Sequence, residues 1–140
     1  MTSLAKTFVL AAGVLGLSAL AGCGSDNSAW PPGVTPGTMI TFSAPWDEMR
    51  GGTIQRLYIK LTKTVSQKAY VVAQIDEAYS QTISTSWQGT ASAYAIVAAG
   101  SDSTDMDISA KPVTAELQVT MKFLLRDTPE FQPFNFKVKP

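Results

Sequence analysis

From Thr38 onward, apolar and polar residues alternate with a period of two, the spacing of a β-strand that buries one face. The clearest run extends from Val113 to Leu125. Alternate positions from Val113 to Phe123 are apolar, and the residues between them are Thr, Glu, Gln, Thr and Lys. A helix cannot place such positions on one side, because its side chains repeat every 3.6 residues or so. The pattern therefore predicts a half-buried antiparallel strand.

Shorter alternating runs predict further strands, and segments rich in Pro, Gly or Asp predict the turns between them. About seven short strands in about 100 residues favour an all-β fold, either an antiparallel β-sandwich or a small barrel. Tyr70–Ile75 is apolar on both faces, as a central strand would be. The other predicted strands are Met39–Ala44, Ile54–Lys63, residues 83–87, Ala91–Ala99 and Phe134–Val138; the predicted breaks are Pro45–Gly52, Ser101–Asp107 and Arg126–Pro133.

Residues 65–80 also fit a second interpretation. Val65, Ala69, Val72, Ile75 and Tyr79 lie on one face of a helix as well, and short apolar runs cannot be assigned from their period alone. The sequence therefore leaves open an α+β fold in which one helix packs on a sheet.

The first 23 residues carry a distinct signal. Lys6 precedes an apolar run, Phe8–Ala19, that is too short to span a membrane and is typical of a secretory signal. The run ends at Leu20-Ala21-Gly22-Cys23, which resembles the lipobox of bacterial lipoproteins. The resemblance implies cleavage before Cys23, a diacylglycerol group on its sulfur and acylation of the new amino terminus. No further motif identifies a family for the rest of the chain.

The predicted organisation has three parts. Residues 1–22 are a lipoprotein signal peptide, residues 23–37 are the lipidated cysteine with a Pro- and Gly-rich tether, and residues 38–140 are a single β domain. Gly24 follows the cysteine, whereas an Asp there typically retains Gram-negative lipoproteins in the inner membrane. The resemblance thus implies attachment to the outer membrane, on its periplasmic side. Trp30 stands in the tether, where it contacts lipid, a partner or its own domain.

Composition excludes several classes of function. Without residues 1–22 the chain has ten basic and eleven acidic residues, so it has no electrostatic footprint for nucleic acid. Two or more acyl chains, rather than basic residues, would hold it at the membrane. The chain has no histidine, and Cys23 is its only cysteine. This excludes Ser-His and Cys-His nucleophiles and zinc sites with His or Cys ligands, so we expect neither an enzyme nor a cofactor.

One segment has the ligand types of a calcium site. Asp102, Asp105 and Asp107 place three carboxylates within six residues, and Ca²⁺ prefers such oxygen ligands. The segment lacks the glycine and the distal glutamate of an EF-hand loop. We interpret it as a solvated turn, with a calcium site as the alternative, and expect no metal.

The layout suggests a role in the cell envelope. A small β domain on a lipid anchor is similar to the small outer-membrane lipoproteins of secretion systems and pili. This favours a structural or assembly accessory that binds a protein partner through an exposed strand edge. The candidate contacts are Trp30 and, in the closing strand, Phe134 and Phe136. The alternative is a binding module or inhibitor that recognises a glycan, a peptide or an ion, for which Trp87 and Tyr94 would provide an aromatic platform.

Overall fold

The computed structural model describes residues 30–140. The signal segment, the lipobox and Cys23 lie outside the described residues, and their assignments stay predictions. A compact unit extends from Pro32 to Pro140. Val34 is buried, and the Gly33 carbonyl accepts a hydrogen bond of 2.9 Å from the Ser66 N–H. The end of the predicted tether therefore belongs to the domain, which begins before Thr38.

Ten strands build this domain, together with a short 3₁₀ turn at Glu77–Tyr79. Residues 30–140 contain no α-helix, and so no helix there is long and apolar enough to cross a membrane. In chain order the strands are β1 (Ile40–Ser43), β2 (Glu48–Arg50), β3 (Ile54–Leu61), β4 (Ala69–Ile75), β5 (Ile83–Trp87), β6 (Thr90–Ala91), β7 (Tyr94–Val97), β8 (Ser103–Ala110), β9 (Leu117–Leu125) and β10 (Phe131–Lys139).

The strands form two five-stranded sheets that pack face to face. Sheet one has the order β2-β10-β9-β4-β7, and sheet two has the order β1-β3-β8-β5-β6. Every pair is antiparallel except β2 with β10, which run parallel from Glu48↔Lys137 to Arg50↔Lys139. The predicted all-β sandwich is confirmed, with ten strands rather than about seven.

Alternation along the strands fills the space between the sheets. From Val119 onward, the residues of β9 that face sheet two are at most 1% exposed, whereas Gln118, Thr120 and Lys122 face solvent. In sheet two, the inward-facing residues of β3 and β8 are buried to the same degree. Burying one such side chain stabilises the fold by about 1.5–3 kcal/mol. The residues in question are Val119, Met121, Phe123 and Leu125 in β9, Leu57, Ile59 and Leu61 in β3, and Met106 and Ile108 in β8.

An aromatic cluster closes one margin of this core. The ring of Trp46 lies 5.0 Å from Phe134 and 5.2 Å from Phe136, both with edge-to-face geometry. Phe42 of β1 lies 5.4 Å from Phe123 of β9, so the cluster joins the two sheets. The Trp46 indole N–H donates to the Arg56 carbonyl at 2.8 Å, which satisfies its only polar atom.

The acidic segment 101–107 is not the loop that its composition predicts. Residues from Ser103 onward form β8, with Met106 and Ile108 buried and Asp105 and Asp107 on the solvent side. The hydrophobic and polar residues of this segment alternate with a period of two, but its many Asp and Ser residues are typical of a turn. Pairing with β3 on one side and β5 on the other supplies the backbone hydrogen bonds that stabilise a strand there.

Three other boundaries differ from the prediction. The long alternating run becomes a strand only from Leu117, and the last strand begins at Phe131, inside the predicted loop. The predicted break 45–52 contains the short strand β2, which pairs with Lys137–Lys139, so only the first part of the closing strand is an edge of the sheet. Residues 69–75 are the strand β4, and the alternative of a helix over 65–80 is wrong.

The two faces of β9 provide a test of the packing. Met121 is fully buried, so Met121→Asp places a carboxyl group without a partner in the core. This costs several kcal/mol, against a total stability of about 5–15 kcal/mol for a typical domain. We expect Met121→Asp to abolish cooperative urea unfolding, and Gln118→Asp, on the exposed face, to keep it. Equal midpoints for the two variants would contradict the assignment of faces.

Candidate functional site

An apolar row crosses the outer face of sheet one. It consists of Tyr94, Val72, Leu124 and Phe131, which lie side by side on β7, β4, β9 and β10. The register joins them pair by pair: Val72↔Tyr94, Leu124↔Val72 and Leu124↔Phe131. Tyr94 is 42% exposed and Phe131 is 52% exposed, while the two residues between them are half-buried. These side chains point away from the core, so no part of the sandwich covers them.

Cationic side chains accompany the aromatic rings on this face. The guanidinium of Arg126 lies 4.0 Å from the centre of the Tyr70 ring, and the Tyr70 ring itself packs edge-to-face on Tyr94 at 5.4 Å. The ammonium of Lys122 lies 5.6 Å from the centre of the Phe131 ring, and that of Lys68 lies 5.8 Å from Tyr70. Such contacts contribute about 0.5–1 kcal/mol each at exposed sites and leave the charge in solvent. We call Lys68, Lys122 and Arg126 the cationic margin of the row.

The outer face of sheet two has a different chemistry. Its cations are paired with acids on the neighbouring strand or loop: Arg56 Nε lies 3.0 Å from Asp107 Oδ1, and Lys60 Nζ lies 2.9 Å from Asp102 Oδ2. The hydrogen bond from Lys60 holds the pKa of Asp102 below its ordinary value. The hydrogen bond to Asp107 and the charges of Asp107 and Asp105 raise the pKa of Arg56. This face is a solvated network of ion pairs.

These pairs bear on the calcium alternative. Asp102 and Asp107 each accept a hydrogen bond from a cation, and Asp105 lies opposite Tyr58 in the register. Among residues 30–140, no three His, Cys, Asp or Glu side chains converge as metal ligands would. The structure thus does not bring the three carboxylates together into a site.

Two further carboxylates make contacts within the fold. Asp76 caps the 3₁₀ turn by accepting a hydrogen bond of 3.0 Å from the Ala78 N–H. Glu48 on β2 lies 3.6 Å from the ammonium of Lys139, across the parallel pair. Both contacts are local to the fold.

The structure corrects two of the predicted partner contacts. Phe134 and Phe136 are only 5% and 2% exposed, because the even-numbered residues of β10 face the core. Their rings belong to the aromatic cluster with Trp46, and a partner on the surface cannot reach them. Trp30 precedes the unit that begins at Pro32, and its role stays a prediction. The same holds for Cys23, which lies outside the described residues.

A groove lies where the β5–β6 hairpin meets β7. Its volume is about 300 Å³, and it is lined by Trp87, Gln88, Thr90, Ser92, Tyr94 and Ile96. Gln88 and Gly89 form the two-residue hairpin turn, with φ angles of 51° and 81°. Such turns favour Asn-Gly, and a positive φ at a longer side chain costs about 1–2 kcal/mol.

Sequence reasoning missed most of the apolar row, although a signal was present. Because Tyr70–Ile75 is apolar on both faces, we predicted a strand that is covered on both sides. In the structure, only one face of β4 packs against sheet two. Its other face is also apolar but lies on the outside of sheet one, where Val72 forms part of the apolar row. Phe131 was assigned to a loop, and Leu124 interrupts the alternation of β9. Only the register of four strands reveals that these residues are neighbours.

The chain matches no protein-family model. Its sequence is also not significantly similar to that of any curated protein.

Two solved structures resemble the fold. A two-domain protein of unknown function from Bacteroides fragilis matches with a TM-score of 0.52 and 9% identity, over 73% of this chain and 44% of its own. A family 123 glycoside hydrolase from Clostridium perfringens matches with a TM-score of 0.46 and 13% identity, over 74% of this chain and 27% of its own. This chain therefore spans less than half the length of either protein. At such identities, the first likeness supports the all-β fold alone.

The Lys60–Asp102 pair yields a prediction on pH. Because Lys60 lowers the pKa of Asp102, the pair stabilises the fold above the unfolded pKa of the carboxyl group, and this contribution is lost as pH falls through the folded pKa. Lys60→Gln should raise the pKa of Asp102, as measured by carbon NMR. It should also lower stability slightly at neutral pH and not in strong acid. Lys63→Gln is the control, and an unchanged pKa of Asp102 in Lys60→Gln would contradict the role of this pair.

Proposed function

We propose that this chain is a membrane-anchored, non-catalytic accessory of a cell-envelope complex, which binds a protein partner through the outer face of sheet one. The observation that carries the proposal is the apolar row Tyr94–Val72–Leu124–Phe131 on a face that nothing in the described structure covers. Exposed contiguous apolar surface on a small domain marks an interaction site more often than scattered apolar residues do.

The chemistry of this face favours a partner with both apolar and acidic side chains. Aromatic residues and Arg, which are enriched at the centres of protein interfaces, occur together here as Tyr70, Tyr94, Phe131 and Arg126. The cationic margin surrounds the row, and the acid nearest to Arg126 is the exposed Asp127, at 3.9 Å. A partner carboxylate approaching this face thus meets Lys68, Lys122 and Arg126.

A protein surface fits this face better than an anionic membrane does. Segments that bind anionic lipids carry clusters of about four to eight Lys or Arg residues. The cationic margin has three, and the whole chain has as many acidic as basic residues. Charge would therefore orient a partner here, while burial of the apolar row would supply most of the affinity.

The anchor is the second part of the proposal. It rests on the lipobox-like sequence Leu20-Ala21-Gly22-Cys23 and on the apolar run before it. Two or three acyl chains on residue 23 would fix the domain to the outer membrane, on the periplasmic side. The absence of histidine from the chain agrees with a binding role rather than a hydrolytic one.

A substitution at the cysteine tests the anchor. Cys23→Ser removes the sulfur that would be acylated. The protein should therefore be lost from the outer membrane and appear either as a soluble protein or as a precursor that keeps residues 1–22. The control is Gly24→Asp, which keeps the thiol and, by the lipoprotein pattern, should remain membrane-bound but shift to the inner membrane. Retention of Cys23→Ser in the outer membrane would show that the anchor lies elsewhere.

The docking face is tested by cross-linking in native membranes, followed by measurement of binding to the purified captured protein. Phe131→Ser removes the large exposed ring at one end of the row and should weaken the Kd by tenfold or more, as expected for an aromatic anchor residue of an interface. Tyr58→Ser, on the outer face of sheet two, is the matched control because Tyr58 has a similar exposure of 46%. It should leave the Kd unchanged.

The role of charge needs a separate measurement. Lys122→Glu should weaken binding, and added salt should reduce the affinity of the parent more than that of the variant. A captured protein that binds Phe131→Ser as well as the parent would contradict the proposed face. Binding to anionic vesicles that is lost in Phe131→Ser would instead make this face a membrane contact.

A further inference from the structure

We infer that the groove beside the β5–β6 hairpin is a subsite for a neutral oligosaccharide. Its volume of about 300 Å³ is at the lower end of the range for small-ligand sites. The inference does not rest on the proposed protein docking, since the groove and the apolar row share one side chain only. Tyr94 is the one member of the apolar row that also lines the groove.

The lining residues have the chemistry of sugar recognition. None of them is charged at neutral pH, which disfavours an anionic or cationic ligand. The half-buried ring of Trp87 and the exposed ring of Tyr94 offer flat apolar surfaces, on which the C–H face of a pyranose can pack. The Gln88 amide and the Thr90 hydroxyl offer hydrogen bonds to sugar hydroxyls, and the Ser92 hydroxyl, whose proton goes to the Tyr94 carbonyl, retains one acceptor lone pair.

Trp87 is held in place rather than free to rotate. It is the last residue of β5, opposite Thr90 in the hairpin register, and its indole N–H donates to the Thr104 hydroxyl at 3.3 Å. A fixed ring costs less entropy on binding than a mobile one. Because the Trp87 ring lines the groove, its indole N–H resonance also provides a spectroscopic probe of binding there.

Backbone groups at the edge of sheet one add to the site. The hydrogen bond from the Ala73 N–H to the Ala93 carbonyl fixes the alternation along β7, so the N–H and C=O of Ile96 point away from β4. The corresponding groups of Tyr94 are already engaged by the Ser92 hydroxyl, at 3.1 Å and 2.7 Å. The peptide groups of Ile96 are therefore a donor and an acceptor on the side where the sheet ends.

The conformation of Gln88 is the strongest argument that the groove binds a ligand. Gln88 adopts a φ of 51° in a two-residue turn that Asn would satisfy with less strain. The extra methylene of Gln moves the amide farther from the backbone, and Gln88 is one of the residues that line the groove. Steric strain that stability does not require is a feature of binding and catalytic sites.

The test uses the full-length chain and Gln88→Asn, which keeps the amide, relieves the turn and shortens the reach. The probes are neutral hexasaccharides of glucose, mannose, xylose and N-acetylglucosamine. At least one should shift the Trp87 indole N–H resonance saturably. Gln88→Asn should raise Tm and weaken binding of that sugar by fivefold or more. Gln118→Asn, the same change in β9 at a residue that does not line the groove, should alter neither.

Three outcomes would overturn the inference. The first is that no neutral sugar shifts the Trp87 resonance, and the second is that Gln88→Asn binds as tightly as the parent. The third is that Phe131→Ser, which lies outside the groove, abolishes sugar binding. Retained sugar binding in Phe131→Ser, with loss of the protein partner, would support both sites separately. Loss of the sugar alone in Gln88→Asn would leave the docking proposal intact.

Discussion

A two-layer sandwich covers one face of each sheet, and this constraint determines the rest of the molecule. The inner faces of β9 and β3 are fully apolar and pack on each other, which accounts for the buried Phe123, Met121 and Leu57. The outer faces must remain in solvent, and the chain treats them differently. In sheet two the outer positions carry paired charges and hydroxyls, whereas in sheet one the central strands carry apolar residues on both sides.

Exposed apolar surface on a sheet brings a risk of aggregation, and the structure limits it in several ways. Cationic side chains lie against the rings of Tyr70 and Phe131, so charge stays close to the apolar surface. In β10, the Lys137 N–H donates to the Asp47 carbonyl, and alternate residues direct their backbone to the same side. Pro133 is one of these residues, and it has no N–H to offer another chain. The outer face of sheet one is therefore accessible to a partner, whereas this edge is protected against pairing with a strand of another chain.

Much of the fold followed from the sequence because side-chain alternation is a local property. The inward face of β9 was predicted from Val119, Met121 and Phe123 without knowledge of any partner strand. Alternation failed where composition opposed it: Asp105 and Asp107 concealed the strand β8, and the three residues of β2 were too few to show a period. In both cases the pairing with distant strands, rather than the local sequence, stabilises the extended backbone.

The candidate sites were less accessible to sequence reasoning, for a physical reason. The apolar row exists only because Val72, Leu124 and Phe131 occupy the same register position on three strands, and register is set by long-range pairing. Phe134 and Phe136 were assigned to a surface because their strand looked like an edge, but the even-numbered residues of β10 face the core, where Trp46 packs on both rings. Part of the groove was predicted from the sequence, since Trp87 and Tyr94 were recognised as an aromatic platform. The positive φ of Gln88 was not predicted.

The parallel pair of β2 with β10 joins the early part of the domain to its last residues. Arg50 has its strand partner at Lys139, the penultimate residue, and the Gly51 N–H donates to the Lys139 carbonyl at 2.7 Å. This pairing joins segments about 90 residues apart in the chain, as does the hydrogen bond that the Arg50 guanidinium donates to the Pro140 carbonyl. Contacts of such long range form slowly, because a long loop must close before they can contribute. Sheet one is therefore completed late in folding, after its β9–β10 hairpin.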